Sequence, residues 1–230
     1  MKFRSLSLFL VGFFFYYSCE VRFEPNTRIL VLGTIVDELN EPIENAEIKV
    51  YSTRATSLFS DDDFLLGRNF SKQDGTFEIV SLFDRTDDFS IEIYKDNNFS
   101  KYTYLTSTND NAPANLEINI GTIPLKRIGK VHFNITRESG GGNDIVYSFK
   151  FRSIECIEFY TDDELDIDQS FCYEEIFSNG SLNDVNPDTE GSFNTTFGTI
   201  VEFTYSLNGQ NSITDTFLVD QEDYDFSFTY

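Results

Sequence analysis

The sequence predicts an all-β protein folded as two consecutive β-sandwiches, and three observations carry that expectation. From residue 28 onward no stretch sustains a helical period of apolar residues. Apolar and polar residues instead alternate in short runs, each bounded by Gly, Asn, Asp or Pro turn signals. The 230 residues are 40% hydrophobic and 16% aromatic, with 25 Phe and 12 Tyr, which suffices for packed cores and favours strands.

Taken in order, Arg28 to Val36 is a β-branched apolar run, Ala46 to Tyr51 alternates, and Gly75 to Leu82 alternates through Phe77 and Ile79. Phe89, Ile91 and Ile93 mark a further face, and Asn115 to Leu125 supplies another strand. Ser52 to Leu66 breaks the rhythm around Asp61, Asp62 and Asp63 and reads as an exposed inserted loop. Fresh alternation starts near Gly129 with Val131, Phe133 and Ile135, which leaves His132, Asn134 and Thr136 facing the other way. Gly140-Gly141-Gly142 then makes a hairpin connection, because a strand through Ile145, Tyr147, Phe149 and Phe151 follows at once where a phosphate cradle would need a helix. Further strands are expected at Ile154 to Tyr160, Phe171 to Phe177, Phe197 to Leu207, Ile213 to Val219 and Tyr224 to Tyr230. At Asn208-Gly209 a two-residue turn would place Phe203 and Tyr205 opposite Thr214 and Ser212. A loop of three or five residues instead puts Val201, Phe203, Tyr205 and Leu207 on one face with Ile213, Phe217 and Val219.

Seventeen Lys and Arg against 39 Asp and Glu give a formal charge of −22, so a polyanionic nucleic acid would be repelled. His132 is the one histidine in the chain, which leaves little room for a His-containing triad, a His-rich zinc site or a haem. No cofactor and no catalytic residue is expected.

The N-terminus carries Lys2 and Arg4, an apolar run from Leu6 to Tyr17, and Ser18-Cys19. The run is too short to span about 30 Å of hydrocarbon as a helix, so residues 1–18 read as a signal peptide. The region resembles a bacterial lipoprotein signal, in which a small residue precedes a Cys that is diacylated and becomes the new N-terminus. The resemblance implies lipid attachment at Cys19, with a polar spacer over residues 19–27, although Tyr16 stands where that signal usually has Leu. Cysteine parity agrees. With Cys19 acylated, Cys156 and Cys172 remain as an even pair in a disulfide-permissive compartment, either bridged or as two separately buried thiols.

The first half resembles the carboxypeptidase regulatory-like domains, which have a transthyretin-like β-sandwich fold. The resemblance rests on Gly33-Thr34-Ile35-Val36-Asp37, Glu41-Pro42-Ile43-Glu44-Asn45-Ala46, Lys72-Gln73-Asp74-Gly75-Thr76-Phe77 and Ile120-Gly121-Thr122-Ile123-Pro124-Leu125, in the family's order. Pro42 presets φ at a turn and Asp74-Gly75 reverses the chain before Phe77 enters the core. Asn40 stands where the family usually has Gly, and Asn tolerates positive φ next best. The resemblance implies a regulatory-like sandwich over residues 28–127 with a structural or accessory role. Residues 128–230 are expected to form a second sandwich of unassigned family.

Thr161 to Ser170 holds Asp162, Asp163, Glu164, Asp166 and Asp168 and reads as a solvated loop. Calcium takes such oxygens, but the spacing lacks the Gly bend and the Glu twelve positions on, so no metal site is assigned. Cys156 and Cys172 flank this loop. Asn-X-Ser/Thr triplets at Asn69, Asn98, Asn134, Asn179 and Asn194 are read as chance matches. The expected function is a non-catalytic envelope lipoprotein, a binding or structural module held on the outer membrane by its N-terminal diacyl anchor. Its protein or glycan ligand is left open. One rival is an accessory subunit of an outer-membrane nutrient uptake system that binds glycan or peptide, and the other is a carboxylate-only hydrolase.

Overall fold

The computed structural model describes residues 27–57, 60–83, 88–108, 113–138 and 140–230. The expected signal peptide and Cys19 lie outside the described residues, as does the expected spacer apart from Thr27. Among the described residues the regular structure is β apart from one short 3-10 turn. The strands of the first half are β1 (Thr27–Val36), β2 (Glu47–Ser57), β3 (Ser60–Phe70), β4 (Thr76–Phe83), β5 (Asp88–Tyr94), β6 (Lys101–Ser107) and β7 (Glu117–Pro124). The second half contributes β8 (Ile128–Thr136), β9 (Ile145–Arg152), β10 (Glu155–Thr161), β11 (Glu164–Cys172), β12 (Glu175–Leu182), β13 (Thr189–Thr196), β14 (Thr199–Leu207), β15 (Ile213–Val219) and β16 (Asp223–Thr229).

Alternation does what the period-2 pattern requires. Ile29, Val31 and Ile35 of β1, Phe77, Ile79 and Phe83 of β4, and Phe89, Ile91 and Ile93 of β5 are buried while their neighbours, Val36 at the end of β1 excepted, are more exposed. Gly33 is paired with Phe77 in the β1–β4 register, and a Cβ there would lie 2.9 Å from Ile120 and 3.0 Å from the Phe77 ring. The glycine of the Gly-Thr-Ile motif is thus the gap that Phe77 fills. Asn40 adopts φ 64° and Gly75 φ 77°, so both expected turn positions are left-handed.

The first sandwich packs a three-stranded sheet, β4-β1-β7, on a six-stranded sheet, β11-β10-β6-β5-β2-β3. The second packs β12-β9-β14-β15 on β13-β8-β16. Phe149 lies at the centre of the second core, with ring centroids of Phe133 and Phe203 at 4.9 Å, Phe193 at 5.4 Å and Phe226 at 5.5 Å. The β14–β15 register pairs Phe203 with Asp215 and Tyr205 with Ile213, which is the longer-loop register expected from the apolar faces.

Four expectations are corrected. Ser52 to Leu66 is a strand hairpin, because β2 and β3 pair antiparallel from Glu47↔Phe70 outward to Ser57↔Ser60. The acid-rich stretch is also a hairpin: Thr161 pairs with Glu164, and Asp162 and Asp163 turn the chain at φ 53° and 63°. This hairpin ends at Tyr173 (φ 54°), so Phe171 to Phe177 is split between β11 and β12. The sheets also do not divide between residues 127 and 128. Glu155 to Tyr160 pairs in parallel with Lys101 to Thr106, so a hairpin from the second half completes the first sandwich. The reason is that β6 ends an apolar sheet face, where Tyr102 and Tyr104 are each 3% exposed and need cover. Strands β6 and β13, which the sequence reading did not single out, pair with β10 and β8 respectively.

Candidate functional site

The borrowed hairpin assembles one cluster of polar groups. Cys156 and Cys172 are direct cross-strand partners and are joined as a disulfide. Two residues beyond Cys156 on β10, Glu158 meets the first sandwich, where Tyr102 donates its hydroxyl to Oε2 at 2.6 Å and Tyr160 donates to the same oxygen at 3.0 Å. The Tyr104 ring stacks on Tyr160 with centroids 4.5 Å apart. Burial, then the hydrogen bond to Glu158 and its negative charge, push the Tyr102 hydroxyl well above the usual tyrosine range. Burial and Glu158 raise Tyr160 as well. The cluster therefore keeps both phenols protonated and donating.

Among the described residues, Cys156, Glu158 and Cys172 form the one group of His, Cys, Asp or Glu side chains whose ligand atoms lie within 4.8 Å of one another. In the disulfide neither sulfur is a thiolate, so the group lacks the donors a soft metal needs. The acids of the hairpin do not converge with it. Asp166 accepts from the backbone N–H groups of Asp168 and Gln169 and from the Gln169 amide, while Ser170 bridges Phe159 N–H to the Asp166 carbonyl. Asp166 thus shapes a bulge in β11 between its pairings with Ile157 and Phe159.

His132 lies elsewhere, on the outer face of β13-β8-β16. The strands align Ser192, His132 and Asp225 in one row and Glu190, Asn134 and Ser227 in the next but one. Between the two rows runs an open trough of about 690 Å³, which Phe133, Gly191 and Phe226 also line. His132 Nε2 is 3.5 Å from Asp223 Oδ1, with side chains 44% and 77% exposed. A Ser-His-Asp row invites comparison with a nucleophilic triad, but among the described residues no hydrogen bond joins Ser192 to His132, and the row is open to solvent. The trough offers hydroxyl, amide, imidazole and carboxylate groups for hydrogen bonding. No local pattern could have revealed it, since β13 and β16 reach β8 from far along the chain.

The Gly140 to Gly142 connection is organised by a buried cation. Arg137, whose side chain is 8% exposed, reaches Asp184 Oδ1 at 2.5 Å and the Asn143 carbonyl, and its guanidinium lies over the Tyr230 ring at 5.4 Å. Asp184 also accepts from Gly142 N–H at 2.8 Å. This backbone bond first, and Arg137 second, hold the Asp184 carboxyl below its usual range.

No protein-family model matches the chain, and no curated protein sequence does either. Among solved structures, shaft pilin SpaA from Lactobacillus rhamnosus GG is 10% identical, covering 88% of this chain and 98% of that one with a TM-score of 0.32. The Bacillus anthracis TIE protein is 12% identical over 89% of this chain and 34% of that one, TM-score 0.33. A 9R-lipoxygenase from Cyanothece PCC8801 is 18% identical over 45% of this chain and 18% of that one, TM-score 0.31. The chain spans well under two thirds of the last two. Likeness at these scores assigns neither a family nor an activity.

Proposed function

We propose that this chain is a non-catalytic module of the Gram-negative envelope, tethered by diacylation of Cys19, that presents two joined β-sandwiches for binding or structural work. The observation that carries this reading is the β10–β11 hairpin. It leaves the second half, completes the first half's sheet, and is clamped by Cys156–Cys172. A bond of this kind persists in an oxidising compartment, in keeping with export. The junction is tied further by Ile128 N–H to the Asn98 carbonyl, Lys101 N–H to the Ile154 carbonyl and Phe197 N–H to the Arg127 carbonyl. Arg127 also pairs with Glu38, 2.5 Å away. These contacts join the halves instead of framing a cleft between them. In this reading the first sandwich is of the carboxypeptidase regulatory-like kind and serves as a scaffold.

The trough around His132 favours one second reading, an accessory role in outer-membrane nutrient uptake with glycan or peptide as ligand. The chain has no Trp, so sugar stacking would fall to Tyr and Phe. Metabolic labelling with a fatty acid, combined with membrane fractionation, tests the anchor: the wild type should be labelled and Cys19→Ser should not. An unlabelled wild type in the soluble fraction overturns the tether. A panel of peptide, ester and glycoside substrates tests the absence of catalysis. Turnover above a heat-denatured control, abolished by changing one Asp or Glu to its amide, overturns the non-catalytic reading.

A further inference from the structure

The second sandwich is closed unevenly. Strand β15 ends its four-stranded sheet and β16 ends the three-stranded sheet facing it, and their rings meet: Phe217 stacks on Tyr224 at 4.8 Å and on Phe226 at 4.9 Å. Both strands therefore lie on the same flank, and neither has a strand partner on its outer edge among the described residues. The β14–β15 register puts Val219, Phe217, Asp215 and Ile213 on the inward face, opposite Thr199, Val201, Phe203 and Tyr205. Cover fails along that row: Val219 is fully buried, Phe217 is half-buried, and Ile213 is 52% exposed. Across the gap Tyr224, Phe226 and Phe228 are all half-buried, although Val131 and Ile135, the register partners of Tyr224 and Phe228, are fully buried.

Asp215 is the anomaly in this row. Its carboxylate points to the aromatic side of the sheet, opposite the fully buried Phe203, and is exposed without any hydrogen bond or ion pair to the described residues. An apolar strand laid over the flank would bury that charge unpaired, which is strongly unfavourable. A second copy of the chain would bring like charges together, because residues 213–230 carry Asp215, Asp220, Glu222, Asp223 and Asp225 and no Lys, Arg or His. A cation resolves both objections. Half-exposed aromatic faces attract cations, and a planar guanidinium stacks on rings and pairs with a carboxylate better than an ammonium does.

We propose that this flank is a docking site for an extended, arginine-bearing segment of a partner protein. The segment adds to the free edge of β15, its alternate residues point inward, and an arginine lies over Phe217 and the β16 rings with its guanidinium on Asp215. The acidic flank draws the basic segment in, and strand pairing holds its register. This rests on the binding-module reading and names the partner's chemistry.

The test uses the whole chain and a capped octapeptide of alternating Arg and Thr, with an alternating Gln and Thr octapeptide as control. Calorimetry at about 0.15 M salt, where distant surface charges are largely screened, should show saturable binding of the arginine peptide alone. Asp215→Asn and Phe217→Ala should each weaken it about tenfold. Asp168→Asn, the same charge change on the distant hairpin, should leave it unaltered. Equal weakening by Asp215→Asn and Asp168→Asn would mean diffuse charge attraction and overturn the site, as would no saturable binding. Self-association in sedimentation that Asp215→Asn strengthens would show the flank to be an interface between copies, again overturning it. Cleavage of the bound peptide, read by mass spectrometry, would instead refute the non-catalytic reading, so the two failures are distinguishable.

Discussion

Tyr102 and Glu158 meet across the parallel pairing of β6 and β10, with the Tyr102 hydroxyl donating to Glu158 Oε2 at 2.6 Å across 56 residues of sequence. The bond sits where the borrowed hairpin closes over the first core, and the same oxygen accepts from Tyr160. Its loss leaves Glu158 with a remaining partner. Tyr102→Phe is therefore expected to cost about 1 kcal/mol at neutral pH, measured by urea unfolding. The pH dependence has a definite sign. Because the folded-state pKa of Tyr102 is raised, the folded chain holds that proton more tightly, and the stabilisation is complete below the ordinary value of about 10. It is lost as pH rises through that value toward the folded one. The wild type should weaken above about pH 10, and Tyr102→Phe should weaken less steeply, with Tyr160 and Tyr173 still contributing.

The Cys156–Cys172 bridge closes a hairpin of sequence separation 16, for which the chain-entropy view gives about 3 kcal/mol. Cys156→Ser/Cys172→Ser should lower the urea midpoint by a corresponding amount, and mass spectrometry of a non-reduced digest should find the two wild-type peptides linked. Free thiols at both positions in freshly exported protein would remove the bridge and its contribution.

Local pattern revealed those strands whose inward row is continuously apolar, such as β1, β5 and β9, and it revealed the β14–β15 register, because only one alignment put Val201, Phe203 and Tyr205 with Phe217 and Val219. It failed at the acidic hairpin. Asp is poor in strands, yet Asp162 and Asp163 supply the two positive-φ positions of a tight turn, and Asp166 bonds to its own bulge. It failed more deeply on allegiance. The alternation of Ile157 and Phe159 is the same whether β10 joins β9 or β6, and the choice is made by non-local burial of Tyr102 and Tyr104. The surroundings of His132 were hidden for the same reason, since Ser192 and Asp225 become its neighbours only through pairings of β13 and β16 with β8.

Asp184 provides an acid-side prediction. Gly142 N–H and Arg137 hold its carboxyl below the usual range, so the folded chain binds that proton less readily than the unfolded one. The resulting stabilisation is present above the ordinary carboxylate value of about 3.9 and is lost as pH falls through the depressed folded value. Glu47 shifts the same way, through its hydrogen bond to Lys49 first. Asp184→Asn should lower Tm at pH 7, and its gap from the wild type should close as the pH drops below about 4. A gap of constant size across that range, followed by circular dichroism, would show that the Asp184 charge is not what matters.

The borrowed hairpin makes the first sandwich dependent on residues far beyond its own sequence span. A fragment of residues 28–127 retains β1 to β7 but leaves β6 as a sheet edge, with the N–H and C=O groups that bond to Glu155 to Tyr160 exposed to water. It also removes Tyr160 from the Tyr104 ring, Glu158 from Tyr102, and Cys156 from the core. The remaining four-stranded sheet still covers Ile48, Val50, Phe89 and Ile91, so the fragment should collapse and fold weakly. Its urea midpoint should fall by about 1 M relative to the whole chain, with greater binding of an apolar dye. Adding an oxidised peptide of residues 153–174 in trans should raise the midpoint, because the disulfide already holds the hairpin in its paired form. The same peptide carrying Glu158→Leu should restore less, since Tyr102 would then lie against an apolar group with its hydroxyl unpaired. If the fragment melts alone with the midpoint and cooperativity of the whole chain, the hairpin is a passenger on a self-sufficient sandwich. The joined-module reading then loses its main structural support.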